Sequence, residues 1–239
     1  MNYQAVFKRC EIKYLINAKQ KAAILSAIAP YMELDKYGRT TIRNIYYDTD
    51  SYLLIRRSIE KPVFKEKLRI RSYCKTDGNS TVFVEIKKKY KHVVYKRRLT
   101  LPENEAMEWI ATGRYPKEPC QISNEIDYFI KHYGTLKPSV FLSYEREAYY
   151  DKNGSDFRVT FDENILCRKE DMLLSEDPWG EALLEDGQTM MEIKTSGGIP
   201  LWMTKVLTEL GVFKTSFSKY GNYYRNTIFP EIKGGFLYA

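Results

Sequence analysis

The feature that most constrains the fold is a strand whose polar face is cationic. Residues 63–73 read VFKEKLRIRSY, with apolar and polar side chains alternating except at Glu66. Successive strand side chains point to opposite faces, so Leu68 and Ile70 share one face of this segment. The other face carries four neighbouring cations: Lys65, Lys67, Arg69 and Arg71. Because these cations repel one another, the face must meet solvent, carboxylates or an anionic ligand.

Cation-rich polar faces recur on the other predicted strands. The basic residues on these faces are Arg9, Lys13, Lys65, Lys67, Arg69, Arg71, Lys87, Lys96, Arg98, Arg146, Arg158 and Lys194. The acidic ones are Glu11, Glu85, Asp162 and Glu192. Two interpretations are open: a sheet with a solvated basic face, or a barrel of about eight strands with a wet lumen that binds a polyanion. Arginine favours a phosphorylated ligand, since its planar guanidinium binds phosphate oxygens in pairs.

Charge and cysteine content set broader bounds. Lys and Arg number 38 against 31 acidic residues, a formal charge of +7, which suits an anionic partner without requiring one. The four cysteines and two histidines form no zinc-binding spacing, so we expect reduced thiols in a cytoplasmic protein. No stretch is long and apolar enough to span a membrane, and no nucleic-acid recognition motif is visible.

The order of predicted elements is that of an α+β protein. Predicted strands cover residues 6–16, 41–47, 63–73, 82–88, 93–99, 140–149, 157–162 and 190–195. Predicted helices cover 17–29, 123–132 and 200–210, the first capped by Asn17 and the last followed by Gly211. A further helix begins at Pro102 and includes Met107, Trp109 and Ile110. Asp77-Gly78-Asn79 predicts a hairpin turn. Without a linker or an internal repeat, we expect residues 1–239 to form a single domain.

Seven short motifs, in order, resemble one known family. They are RCEIKYL at 9–15, IYYDT at 45–49, KLRIRSY at 67–73, VEIK at 84–87, YER at 144–146, MEIKT at 191–195 and SFSKY at 216–220. Together they resemble the VTC domain, the polyphosphate polymerase domain of the vacuolar transporter chaperone complex, within the CYTH-like triphosphate tunnel metalloenzyme superfamily. The resemblance covers about residues 5–225.

This resemblance implies both a fold and an activity. The fold would be an antiparallel β-barrel that forms a triphosphate tunnel, with helices packed outside. The activity would be that of an ATP-dependent polyphosphate polymerase, a phosphotransferase that moves the γ-phosphoryl group of ATP onto a growing chain with Mn²⁺ or Mg²⁺. Its partners would be ATP and polyphosphate or triphosphate. Because no membrane span is visible in the sequence, any translocation of the product would need another chain as a membrane partner.

The resemblance also implies site residues. We expect catalytic roles for Arg69, Arg71, Lys87 and Lys219. We expect substrate binding by Lys13, Lys96, Tyr144, Arg146, Arg158, Lys194 and Ser218. Lys194 is included because it lies on the polar face of a predicted strand, and the others because they match the family motifs. Glu192 would bind the metal. Glu85 could pair with cations across the sheet or join Glu192 at the metal, and pairing is the favoured interpretation. Phe213 and Phe217 suggest that the segment before Ser218 packs against the barrel.

Two departures from the family pattern keep alternatives open. Arg9 stands where the superfamily has the first Glu of Glu-x-Glu-x-Lys, which favours transfer over hydrolysis. Ser216 stands where the catalytic family members have a basic residue. The alternatives are a noncatalytic module that binds polyphosphate or inositol phosphate, and a metal-dependent triphosphate hydrolase.

Overall fold

The computed structural model describes residues 10–91 and 93–237, so Arg9 lies outside the described residues. The strands are β1 (Cys10–Asn17), β2 (Met32–Leu34), β3 (Thr40–Asp48), β4 (Phe64–Ser72), β5 (Thr81–Tyr90), β6 (Val93–Pro102), β7 (Lys137–Asp151), β8 (Arg158–Arg168), β9 (Glu181–Ala182), β10 (Gln188–Thr195) and β11 (Lys214–Thr215). The helices are α1 (Ala18–Ile28), α2 (Leu53–Ile59), α3 (Glu103–Thr112), α4 (Gln121–Tyr133), α5 (Leu201–Glu209), α6 (Lys219–Tyr223) and α7 (Phe229–Leu237). A π-helical turn, Tyr224–Ile228, joins the last two.

The chain forms two compact units. Unit 1 consists of residues 10–41, 144–165 and 184–217. Unit 2 consists of residues 42–143, 166–183 and 218–237, apart from position 92. Strands β7 and β8 contribute residues to both.

Unit 1 is a sheet with helices on its apolar face. Strand β10 pairs antiparallel with β1 and β8, and β11 pairs with β1. Val159 and Met191, on the apolar faces of β8 and β10, pack in one cluster with Ile24 of α1 and Met203 of α5. The polar side chains of β8 and β10 therefore point away from this cluster. Asn17 caps α1: its side chain accepts from the Gln20 N–H, and the Gln20 side chain accepts from the Asn17 N–H.

Unit 2 is built on four consecutive antiparallel strands, β3 to β6. Ile70 of β4 lies opposite Val84 of β5, and both are fully buried. They share a cluster with Trp109 of α3 and Phe129 of α4. Helices α3 and α4 thus cover the apolar face of the sheet, and the cationic residues alternate onto the opposite face.

Within the described residues the predicted elements are confirmed, with bounds that differ by a few residues and with several additions. Positions 6–9 of the first predicted strand lie outside the described residues. The hairpin at Asp77–Asn79 joins β4 to β5, and α1, α3, α4 and α5 occur where they are predicted. Helix α2 and the helices after residue 218 are not predicted. Helix α2 is hard to see in the sequence because its cap is remote: the Asp48 carboxylate accepts from the N–H groups of Leu54 and Ile55. No helix within the described ranges has the length and apolar content needed to cross a bilayer.

The expected packing of Phe213 is wrong. Its side chain is 83% exposed, just before β11, and only Phe217 of the two phenylalanines is partly buried. The chain there is held instead by pairing of β11 with β1.

Candidate functional site

A buried carboxylate organises the cations of unit 2. Glu85 is 1% exposed, and its oxygens accept from Arg69 at 2.7 and 2.8 Å and from Arg98 at 2.5 and 2.9 Å. Lys96 Nζ lies 2.8 Å from the same carboxylate, and Arg71 Nε lies 3.9 Å from it. We call these five residues the Glu85 group. Four cations on one carboxylate leave a formal surplus of three positive charges.

Strand register produces this arrangement. Glu85 of β5 lies directly opposite Arg69 of β4 and Arg98 of β6. Residues two positions away share the same face. This places Arg71 beside Arg69 on β4, and Lys96 beside Arg98 on β6. The charged group is therefore encoded by alternation along three neighbouring strands.

Neutral polar groups hold two of the arginines in place. Arg71 Nε donates to Asn44 Oδ1 at 2.9 Å, and the Asn44 side chain donates in turn to the Leu142 carbonyl at 2.9 Å. Arg69 Nη1 donates to the Tyr46 hydroxyl at 2.8 Å. Asn44 is fully buried, so it fixes Arg71 before any ligand arrives.

The charge surplus shifts the pKa values of the group. Burial alone would raise the pKa of Glu85, but Arg69, Arg71 and Lys96 hold it far below its ordinary value. Burial, reinforced by the neighbouring arginines, lowers the pKa of Lys96 to about 7 against the attraction of Glu85. At neutral pH, Lys96 is thus poised between its charged and neutral forms.

The remaining candidates of unit 2 lie near the start of α6. Lys67 Nζ donates to Ser218 Oγ at 3.2 Å, and Ser218 also accepts from the Gly221 N–H as the cap of α6. Lys219 begins that helix and is half-buried. Lys87 lies opposite both Lys67 and Lys96 in the sheet, which extends the cationic face.

Unit 1 contains a second charged group, centred on Glu192 of β10. Lys194 Nζ lies 2.8 Å from the Glu192 carboxylate, and Lys13 is its neighbour across the β1–β10 pairing. Arg146 of β7 forms a paired contact with Asp162 of β8 at 2.5 and 2.7 Å. We call these five residues the Glu192 group.

Both carboxylates of the Glu192 group are buried and balanced by cations. Burial would raise the pKa of Glu192, but Lys194, Lys13 and Arg146 hold it well below its ordinary value. Burial would lower the pKa of Arg146, but Asp162, Tyr144 and Glu192 together raise it well above its ordinary value. Glu192 is therefore ionised at neutral pH.

Three cations in or beside the Glu192 group make further contacts, two with aromatic rings and one with a backbone carbonyl. The Arg146 guanidinium lies 5.0 Å from the centre of the Tyr144 ring. The Arg158 guanidinium lies 4.5 Å from the centre of the Tyr150 ring. Lys13 Nζ donates to the Phe217 carbonyl at 2.8 Å. These contacts orient three of the predicted phosphate ligands in unit 1.

The side chains around Glu192 fit a divalent ion only if substrate phosphates supply most of its oxygen ligands. Among the residues that the structure describes, no three His, Cys, Asp or Glu side chains cluster as a metal centre. Mg²⁺ commonly needs just one or two protein carboxylates when substrate phosphates supply further oxygens. The ionised Glu192 suits that mode, in which metal and polyphosphate bind together.

The structure brings the predicted residues into two groups. Arg69, Arg71 and Lys96 meet at Glu85, while Lys87 and Ser218 lie on or beside the same cationic face. Lys13, Arg146, Glu192 and Lys194 belong to the Glu192 group. The favoured pairing of Glu85 is confirmed, although the pairing is buried rather than at the surface. Sequence reasoning assigned no role to Asn44 and Tyr46, which lie opposite Arg71 and Arg69 in β3. Tyr46 belongs to the IYYDT motif, whereas the signal for Asn44 is its strand position alone.

Comparison with known proteins identifies a family and structures of similar fold. Residues 8–228 match the VTC domain family. A solved structure of a proposed adenylate cyclase from Bacillus halodurans is 14% identical, with a TM-score of 0.56 over 90% of this chain and 96% of that one. A proposed adenylyl cyclase from Hippeastrum, described as having a dominant triphosphatase activity, is 18% identical, with a TM-score of 0.55 over 90% and 94%. No curated protein matches. The predicted fold class, that of the triphosphate tunnel proteins, is confirmed.

Proposed function

The chain belongs to the VTC domain family, and from this premise we propose that it is an ATP-dependent polyphosphate polymerase. In this role it transfers the γ-phosphoryl group of ATP to the end of a polyphosphate chain. The coarser part of the proposal, an enzyme that acts on triphosphate or polyphosphate, has the support of the family and of the fold. The direction of phosphoryl transfer and the identity of the acceptor are the more specific parts of the proposal.

The observation that carries the proposal is the charge of the Glu85 group. Four cations surround one carboxylate, and the side chains of Arg69 and Arg71 are only 17% and 7% exposed. Desolvated cations in excess are costly unless an anion joins them. A linear chain of phosphates supplies closely spaced negative charges, and the arginine forks match pairs of phosphate oxygens. The group therefore favours a polyphosphate over a single carboxylate ligand.

The proposed reaction needs positioning and charge stabilisation rather than a covalent enzyme intermediate. A terminal oxygen of the acceptor chain forms a bond to the γ-phosphorus of ATP. The bond between that phosphorus and the β–γ bridging oxygen breaks, and ADP leaves with its electron pair. The attacking oxygen is already ionised, so no strong general base is required. The arginines and lysines stabilise the charge spread over the transferring group.

Residue roles follow from position and chemistry. Arg69, Arg71 and Lys87 would hold the transferring phosphates. Lys219, whose side chain is flexible, would stay in contact with the phosphate as it moves from donor to acceptor. Lys13, Lys96, Tyr144, Arg146, Arg158, Lys194 and Ser218 would bind the rest of the donor and acceptor. Glu192 would hold Mn²⁺ or Mg²⁺, which supplies further charge neutralisation when bound with the phosphates.

A triphosphate hydrolase is the second candidate, because the Hippeastrum structure of similar fold is described as a triphosphatase. Hydrolysis would use water in place of the acceptor chain. Ser216, which is exposed, supports the third candidate, a binding module without turnover. Action in the cytoplasm stays a prediction.

Incubation with ATP and Mn²⁺, followed by gel separation of the products, tests these candidates together. The polymerase yields long polyphosphate chains and ADP. Free phosphate without polymer would identify a hydrolase, and no product despite triphosphate binding would identify a binding module. Arg69→Ala should abolish polymer formation, whereas Arg114→Ala, an exposed arginine in a loop, should match the wild type.

A further inference from the structure

Two buried polar atoms on one strand of unit 1 have no hydrogen-bond partner. Five side-chain atoms within the described residues are buried in this state, and they include Thr160 Oγ1 and Arg158 Nε. Thr160 is fully buried. Such atoms are rare in folded proteins, because each one gives up its bonds to water without replacement. Two of them at alternate positions of one strand therefore call for a specific explanation.

Their position in the sheet points to a ligand. Thr160 and Arg158 alternate with Val159 and Phe161, which pack in the apolar cluster on the other face of β8. Thr160 lies directly opposite Glu192, and Arg158 lies opposite Lys194. The two atoms without partners thus share the charged face of the Glu192 group, not the hydrophobic core.

We propose that Thr160 Oγ1 and Arg158 Nε together bind one phosphoryl group of the substrate chain. The hydroxyl donates to one phosphate oxygen and the guanidinium N–H donates to another. The neighbouring cations attract the phosphate. The neutral Thr160 hydroxyl adds a hydrogen bond without increasing the repulsion among those cations. This assignment of Thr160 rests on the proposed function, since it names a further binding residue for the same class of substrate.

Isosteric replacement separates a ligand contact from a structural one. Thr160→Val keeps the shape of the side chain and removes only the hydroxyl. In the free protein the melting temperature should stay equal or rise, because a buried polar atom without a partner disappears. Affinity for inorganic triphosphate, measured by calorimetry at fixed ionic strength, should fall about tenfold or more, as expected for loss of a hydrogen bond to a charged group. Thr160→Ser should restore most of the affinity.

A matched control exists in unit 2. Thr76 also carries a buried hydroxyl without a partner within the described residues, but it lies in the loop between β4 and β5. Thr76→Val should leave triphosphate affinity unchanged.

Two results for Thr160→Val would overturn the inference while leaving the proposed function intact. One is triphosphate affinity within about twofold of the wild type, and the other is a clear loss of thermal stability, which would mean that the hydroxyl serves the fold. Failure of the wild-type protein to bind triphosphate would instead overturn the proposed function, and this inference with it.

Discussion

At the scale of single residues, Glu85 determines how the cations of unit 2 can lie together. Its carboxylate contacts Arg69, Lys96 and Arg98 within hydrogen-bond distance. A surface ion pair contributes little to stability, but removal of one partner from a buried group leaves the other charges uncompensated. Glu85 is therefore both a structural counter-ion and the group that a phosphate ligand would partly replace.

Glu85→Gln should lower the free energy of unfolding by about 3 kcal/mol. The difference from the wild type should shrink as the pH falls below 4.5, the ordinary pKa of this carboxyl. A depressed pKa stabilises the fold fully above the unfolded value, and this stabilisation is lost progressively as the pH falls towards the folded value. Denaturant unfolding at several pH values measures this. Glu118→Gln, at an exposed loop position, is the control. Equal stability of Glu85→Gln and wild type would show that the buried pairing contributes nothing.

Lys96 gives a prediction about protons. Its pKa is lowered to about 7, so it is largely neutral at pH 8, and a bound phosphate should charge it again. Triphosphate binding should therefore take up a proton and weaken as the pH rises above 7. Calorimetry in buffers of different ionisation enthalpy measures the uptake. Lys96→Met should take up fewer protons than the wild type, and identical uptake by both proteins would contradict the assignment.

At the scale of elements, alternation along the strands predicts which residues share a face, but it does not show what that face meets. The sequence places Arg69, Arg71 and Lys96 on the polar faces of their strands, although Glu66 in β4 and Arg97 in β6 interrupt the alternation. It favours pairing of Glu85 with cations across the sheet, but it does not show which cations these are, since strand order and register depend on tertiary packing. Thr160 is equally hidden, because threonine is an ordinary strand residue.

The C-terminal elements show the same limit. Tyr220 follows Lys219 in α6, and its hydroxyl donates to the buried Asp48 carboxylate at 3.0 Å. Asp48 also accepts from backbone N–H groups at the start of α2. A contact across so many residues has no local signal, so the position of α6 could not be predicted.

Tyr220→Phe should loosen α6 without unfolding the protein. Asp48 keeps its backbone donors, so α2 should persist, while loss of one buried hydrogen bond costs about 1 kcal/mol. Amide hydrogen exchange should become faster in residues 219–223. Tyr128→Phe, at a side chain that is 68% exposed, is the control. Unchanged exchange in α6 would show that the Asp48 contact does not hold the helix.

At the scale of the whole molecule, the family resemblance predicts the fold class better than composition does. A formal charge of +7 suits many proteins, whereas seven motifs in order indicate one fold. That a single domain is formed by residues 1–239 stays a prediction. The roles of Ser216 and Arg9 in activity also stay predictions, and Arg9 lies outside the described residues.

The central claim is that ATP donates its γ-phosphoryl group to a chain. The most direct measurement compares reactions with ATP labelled at the γ-phosphate or at the α-phosphate, in the presence of Mn²⁺, with the polymer isolated on a gel. We predict label in long polyphosphate only from γ-labelled ATP, with one ADP formed for each phosphate incorporated. Formation of ADP and labelled inorganic phosphate without polymer would contradict the account, and so would the absence of any ATP turnover.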